Sequence, residues 1–180
     1  MTRMDDTPAP SPPLASTSRL RVSLRPRDLW FVAVATVIVA ADQVVKWVIR
    51  DNVIPGDSHS VVGDLLRIVH FTNDGAAFGL FQGAGPLLAI TSIIGLGAIV
   101  VFLLNPAFAQ PLTRLALALM LGGAIGNLID RVRVGEVVDF IKVPNFPAFN
   151  VADSAISVGV TILIWTMLFM KPPSNDAKSP

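Results

Sequence analysis

The chain has 180 residues, of which 52% are hydrophobic and only 15% charged, with a positive mean hydropathy. A soluble domain carries about 25% charged residues, so this balance excludes an ordinary soluble fold and points to a membrane protein. The net charge of +1 carries little information; the absence of cysteine excludes disulfides, thiolate metal sites and a cysteine nucleophile, and His59 and His70 share no helix face on which to hold zinc.

Residues 1–28 are polar and proline-rich, with Pro8, Pro10, Pro12 and Pro13 in close succession. Such a composition cannot bury a core, and a disordered tail is predicted there. Arg19, Arg21, Arg25 and Arg27 follow, and favour a cytoplasmic N-terminus. The first apolar run, 29–49, is interrupted only by Asp42, Gln43 and Lys46 and is long enough to span a bilayer as a helix. The competing reading is a cleaved signal peptide with Val39-Ala40-Ala41 as its cleavage site; the helical pattern continuing past that site argues against it. Asp42 and Lys46, at i and i+4, share a face and are expected to pair structurally.

Residues 50–74 change character. They carry Asp51, Asp57, Asp64, Arg67 and both histidines, with Pro55 and Gly56 as turn formers. The β-branched, roughly alternating stretch 64–71 predicts a short strand at the membrane surface. Asn73-Asp74-Gly75 reads as a turn, followed by Ala76-Ala77-Phe78-Gly79. No charge occurs from Gly75 to Thr113, and the prolines Pro86 and Pro106 bound a second span at 87–104. After a short loop containing Pro106 and Pro111, a third span is predicted at 112–129. Its Gly122, Gly123 and Gly126 would let a neighbouring helix approach closely. A polar segment with a short strand around Val137–Ile141 follows, then a fourth span at 153–170 and a polar tail at 171–180.

Four spans put both termini on one side, and the arginine cluster makes that side cytoplasmic. The segments 50–74 and 130–152 then face outward. The predicted class is an α-helical integral membrane protein with four transmembrane helices and a small extracytoplasmic β/amphipathic platform. Its organisation is a tail at 1–28, a membrane domain at 29–170 and a cytoplasmic tail at 171–180.

The chemistry gathers at the outward edge, where unpaired ionisable groups would be costly. Asn127, Asp130 and Arg131, at i, i+3 and i+4, present an amide, a carboxylate and a guanidinium at one helix end. Asp130 meets the unfavourable end of the helix dipole there and needs Arg131 or another donor. A carboxylate so clamped is a poor proton shuttle, so the trio reads as scaffolding. Asp139 lies among Val137, Val138, Phe140 and Ile141, surroundings that favour a protonated carboxyl. Its bland alternative is a loop aspartate paired with Lys142 or Arg133. Asn150 and Asp153 form a variant of the capping box, and capping alone would account for both. The helix N-terminus also stabilises a negative charge on Asp153. Two carboxyls with opposite tendencies at one membrane edge are what an aspartyl hydrolase needs, one to deprotonate water and one to protonate a carbonyl oxygen. Other chemistry fits poorly: Gly83-Ala84-Gly85-Pro86 lacks the Lys-Ser/Thr of a phosphate loop, no Ser–His pairing is evident, and no basic–aromatic surface suggests nucleic acid.

Five motifs in order now carry a resemblance: Ala41-Asp42-Gln43 with Lys46; Asn73-x-Gly75-Ala76-Ala77-Phe78; Gly122-Gly123-Ala124-x-Gly126-Asn127-Leu128-Ile129-Asp130-Arg131; Gly135-x-Val137-Val138-Asp139-Phe140; and Phe146-Pro147-Ala148-Phe149-Asn150-x-Ala152-Asp153-Ser154. Across roughly residues 29–170 the sequence resembles bacterial lipoprotein signal peptidase, or signal peptidase II. The resemblance implies an intramembrane aspartyl endopeptidase of the bacterial inner membrane, with its site on the extracytoplasmic side. Its substrate would be a diacylglyceryl-modified prolipoprotein, cut just before the lipidated cysteine. By motif it implies Asp139 and Asp153 as the catalytic dyad. Asn127, Asp130, Arg131 and Asn150 fall on positions that support the dyad or contact substrate, and Asp42 and Asn73 on positions nearer the substrate path. It implies no metal or cofactor. Membrane lipid is an expected partner, nucleic acid is not, and the chain is expected to act as a monomer. The proline-rich N-terminal extension departs from the family pattern.

Two rival readings fit the sequence less well. A non-enzymatic transport or assembly subunit would use intramembrane aspartates to relay protons or hold helices together, and predicts carboxylates near the midplane. The clustering of Asp130, Asp139 and Asp153 at one edge disfavours it. A second enzymatic reading makes Asp130 the partner of Asp153, against which Arg131 argues.

Overall fold

The computed structural model describes residues 29–74 and 85–170; the predicted tails and the Gly75-Ala76-Ala77-Phe78 motif lie outside the described residues. Four helices dominate: α1 (Trp30–Asn52), α2 (Gly85–Leu104), α3 (Pro111–Arg133) and α4 (Val151–Phe169). Each is long and apolar enough to cross a membrane.

The helices outrun the purely apolar stretches that announce them. α1 continues through Arg50, Asp51 and Asn52, with Arg50 in its last turn complementing the helix dipole. α3 continues through Asp130 and Arg131 because nothing breaks it before Gly135, whose φ of +89° turns the chain into the next strand. Asp153 does not open α4: Asn150 is the N-cap, and Asp153 sits in the first turn.

α3 is the hub and packs against each of the other three helices. Glycines set how closely it does so. A Cβ on Gly122 would lie 2.8 Å from the Ala35 carbonyl oxygen of α1, and one on Gly126 would lie 2.7 Å from Asp42 Oδ2. Gly123, against Ala152, and Gly159, against Ala116, do the same between α3 and α4. Small residues are the means by which membrane helices come into backbone contact, since lipid supplies no hydrophobic drive between them. Outward faces are apolar, as lipid contact requires: Ile90, Ile93, Ile94 and Val101 on α2 and Trp165, Leu168 and Phe169 on α4 are exposed.

A three-stranded antiparallel sheet lies beside the helices in the order β1 (Ser58–Val62), β2 (Leu66–Asn73), β3 (Val137–Lys142). The predicted strand at 64–71 is shifted, because Asp64 and Leu65 occupy the β1–β2 turn after Gly63, which has φ +49°. Asn73 likewise belongs to β2, paired with Val137, rather than to a turn. β1 escaped the sequence reading: Ser-His-Ser is polar, and the strand is exposed along its whole length. β3 was legible and is almost wholly buried. Its Val138 and Phe140 pack on Ile49 of α1, which seats the sheet on the helices.

Candidate active site

The site begins with α1. Asp42, Lys46 and Arg50 recur every fourth residue and so form one stripe facing α3. Lys46 is fully buried, and its Nζ lies 2.7 Å from Asp42 Oδ2, 2.8 Å from Asp130 Oδ2 and 3.0 Å from Asn127 Oδ1. Lys46 thus ion-pairs with both carboxylates and donates a hydrogen bond to the Asn127 amide oxygen. Arg50 Nη2 donates to Asp130 Oδ1 at 2.9 Å, and Gln43 Nε2 reaches the same oxygen at 3.3 Å. Asp130 therefore finds its donors on α1 and not in Arg131. Two carboxylates and two cations balance in this buried cluster, the condition under which buried charge is tolerable.

Asp42 has a second function. Its Oδ1 accepts the backbone N–H of Ala152 at 2.9 Å, in the first turn of α4. Asp42 is fully buried and supports the start of α4 from across the helix interface.

That start carries the next residues. Asn150 Oδ1 accepts the Asp153 N–H at 2.9 Å, while Asp153 Oδ2 accepts the Asn150 N–H at 3.3 Å, a complete capping box. Capping leaves other atoms free. Asp153 Oδ1 accepts from Asn127 Nδ2 at 2.7 Å, and Asn150 Nδ2 donates to Asp139 Oδ1 at 2.8 Å. Cap and site are thus the same residues.

Asp139 reaches this point by strand pairing. Phe149 bonds back to Phe140 and Ile141, folding the 143–149 loop so that Asn150 lies beside β3. On the other side Asn73, paired with Val137, stands diagonal to Asp139 on the same face and donates to its Oδ2 at 3.1 Å. Lys142 donates instead to the Phe146 carbonyl at 2.6 Å, so the pairing of Asp139 with Lys142 is not made. Asp139 is 2% exposed. Burial and, after it, the nearby Asp153 carboxyl push its pKa up to about 7, against the pull of the Asn73 and Asn150 amides and the Lys46 charge.

Asp139 and Asp153 line one cavity of about 500 Å³, together with Asn73, Asn127, Arg131 and Ser154. Its other walls, from Phe146, Phe149, Ile156 and Val158, are apolar. Of the residues predicted from sequence, Asn73, Asn127, Arg131, Asp139 and Asp153 line the cavity. Asn150 lies behind it, between the two carboxyls, and Asp42 and Asp130 stand back in the α1–α3 cluster. Gln43 was quoted in a motif but given no role, and Arg50 was missed, although its four-residue spacing from Lys46 was the signal for it.

Comparison with known proteins gives this arrangement a family. A sequence model described as Signal peptidase (SPase) II matches residues 34–169. The chain belongs to the signal peptidase II family. It is 40% identical over 155 residues to a lipoprotein signal peptidase of Moorella thermoacetica, covering 83% of this chain and 99% of that protein. To the Brevibacillus brevis lipoprotein signal peptidase it is 42% identical over 139 residues, covering 76% and 93%. Its fold is similar to that of a bacterial membrane enzyme solved by the in meso method at 2.3 Å resolution, with TM-score 0.76 and 35% identity over 84% of this chain and 94% of the other. As a member of that family it is a multi-pass membrane protein and a protease.

Proposed function

We propose that this chain is an aspartic endopeptidase of the bacterial inner membrane. It removes signal peptides from diacylglyceryl-modified prolipoproteins by hydrolysing the bond before the lipidated cysteine. The observation that carries this is the convergence of Asp139 and Asp153 on one cavity, with Asp139 titrating near neutrality. Family membership supplies the substrate class.

The chemistry follows from the shared proton. With Asp139 protonated and Asp153 ionised, Asp153 takes a proton from a water between them as that water attacks the scissile carbonyl carbon. Asp139 gives its proton to the carbonyl oxygen. The resulting gem-diol collapses as the C–N bond breaks, with Asp153 returning its proton to the departing amide nitrogen and Asp139 recovering one from the gem-diol hydroxyl. The two carboxyls titrate as a pair. No step calls on a metal or cofactor, and one chain supplies both acids, so a monomer suffices. Asp130, clamped by Lys46 and Arg50, suits scaffolding better than proton transfer.

The topology fits the reading. The Arg19–Arg27 cluster favours cytoplasmic termini, which puts the site on the extracytoplasmic side, where a lipidated substrate enters sideways from the bilayer. Residues 29–170 form the peptidase domain, flanked by the two tails.

The test is cleavage of a diacylglyceryl-modified prolipoprotein by purified protein in detergent. Asp139→Asn and Asp153→Asn should each abolish it in folded protein, while folded Asp130→Asn retains measurable cleavage. Full activity in Asp139→Asn would sink the dyad; no cleavage by folded wild type would sink the peptidase reading.

A further inference from the structure

A second cavity, of about 670 Å³, lies along the sheet and shares Asn73, Pro147 and Ala148 with the catalytic one. The two differ in character. The catalytic cavity extends over Ile156 and Val158 of α4 toward the membrane, whereas the second has Ser58, Arg67, His70, Thr72 and Lys142 in its walls. A signal segment is apolar and enters from the bilayer side. The chain beyond the cleaved bond is the part left to occupy the second cavity, the more polar of the two.

Two cations stand there side by side. Arg67 and Lys142 are directly paired across β2 and β3. The pairing shifts register between Ile68 and Phe71; Ile68 and Ile141 pack with Val138 and Phe140, while Arg67 and Lys142 line the cavity. Like charges opposite one another in a sheet repel. Arg67 Nε donates to Ser58 Oγ at 2.7 Å and Lys142 Nζ to the Phe146 carbonyl, but neither is ion-paired to a carboxylate among the described residues. Asp57 and Asp74 line the same cavity, and neither is ion-paired with Arg67 or Lys142. The repulsion is relieved when an anion sits between them.

We propose that Arg67 and Lys142 form a subsite for an acidic side chain of the substrate, about three residues beyond the cleaved bond. The spacing comes from the strand. Lys142 is three residues along β3 from Asp139, roughly 10 Å at about 3.3 Å per residue, and an extended substrate beside the sheet covers that distance in about three residues. The inference rests on the peptidase reading above and adds a determinant of which lipoproteins are cut fastest.

Three diacylglyceryl-modified peptides, identical except for Glu, Gln or Lys at the third residue after the cleaved bond, test it with the full chain in detergent. Wild type should prefer Glu over Lys roughly tenfold in kcat/KM, with Gln between, and high salt should shrink the ratio. In Arg67→Gln/Lys142→Gln the ratio should fall to within about twofold, and in Arg67→Glu/Lys142→Glu it should invert. Lys142→Gln alone, which keeps the Arg67–Ser58 bond, should give an intermediate ratio. Because each enzyme is compared with itself, a general loss of activity does not affect the reading. Equal cleavage of all three peptides by wild type, or an unchanged ratio in the variants, overturns the subsite alone. Failure to cleave any of the three overturns the peptidase reading and the subsite with it.

Discussion

Lys46 Nζ and Asn127 Oδ1 lie 3.0 Å apart, and that contact joins the buried charge cluster of α1 and α3 to the candidate catalytic carboxyls. Asn127 passes the constraint on: its Nδ2 holds Asp153, and its Oδ1 also accepts from Asn150, which holds Asp139. The site is positioned by a chain of hydrogen bonds that begins at a lysine with no access to the cavity.

Lys46→Met should therefore be severe. It leaves Asp42 and Asp130 buried with only Arg50 as a counter-cation, a change that costs about 3–5 kcal/mol when one partner of a buried pair is removed. Arg50→Met, whose side chain is 30% exposed, should cost only about 1 kcal/mol. Thermal unfolding in detergent checks the ranking; equal shifts for both would deny Lys46 its central place.

Asp139 makes the protein pH-sensitive in a defined direction. An unfolded aspartate titrates near 3.8, and this one near 7, so between those values the folded state holds more protons than the unfolded one. The protonated carboxyl's contribution is complete below 3.8 and is lost as pH rises through 7. Three units correspond to at most about 4 kcal/mol. Asp139→Asn does not titrate, so its melting temperature relative to wild type should rise between pH 4 and pH 8. Cleavage by wild type should decline above about pH 7, as the acid loses its proton. A flat profile for both quantities would contradict the assignment.

Asn73→Ala should move that alkaline limb. The Asn73 amide stabilises the ionised form of Asp139, so its loss lets the pKa climb further. The limb should shift upward by about 0.5–1 pH unit. A downward shift in the pH–kcat/KM profile would mean that Asn73 acts on the substrate and not on Asp139.

Much of this was legible in the chain. Apolar run lengths gave the helices, Gly122, Gly123 and Gly126 gave the close packing, and the spacing of Asp42 and Lys46 gave their pairing. Asn150 and Asp153 announced a cap. The sequence could not say that Asp42 reaches the first turn of α4, because a contact between residues 110 positions apart leaves no local pattern. Nor could it say whether Asp130 takes its donor from Arg131 or from α1, since adjacency in sequence on a helix is not adjacency on its surface. β1 was invisible because an exposed polar strand has no hydrophobic alternation.

That same geometry separates Arg131 from Asp130. Arg131 lines the cavity with Asp139 and Asp153, and among the described residues no hydrogen bond or ion pair holds it. A half-buried guanidinium in that position is placed to stabilise charge that develops on the carbonyl oxygen or the dyad during reaction. Arg131→Gln should lower kcat/KM roughly a hundredfold. Its melting temperature should move far less than that of Lys46→Met, because no folded-state bond is lost. The split between rate and stability is the decisive readout. A large drop in melting temperature, with unchanged kcat/KM in the folded fraction, would return Arg131 to the scaffold.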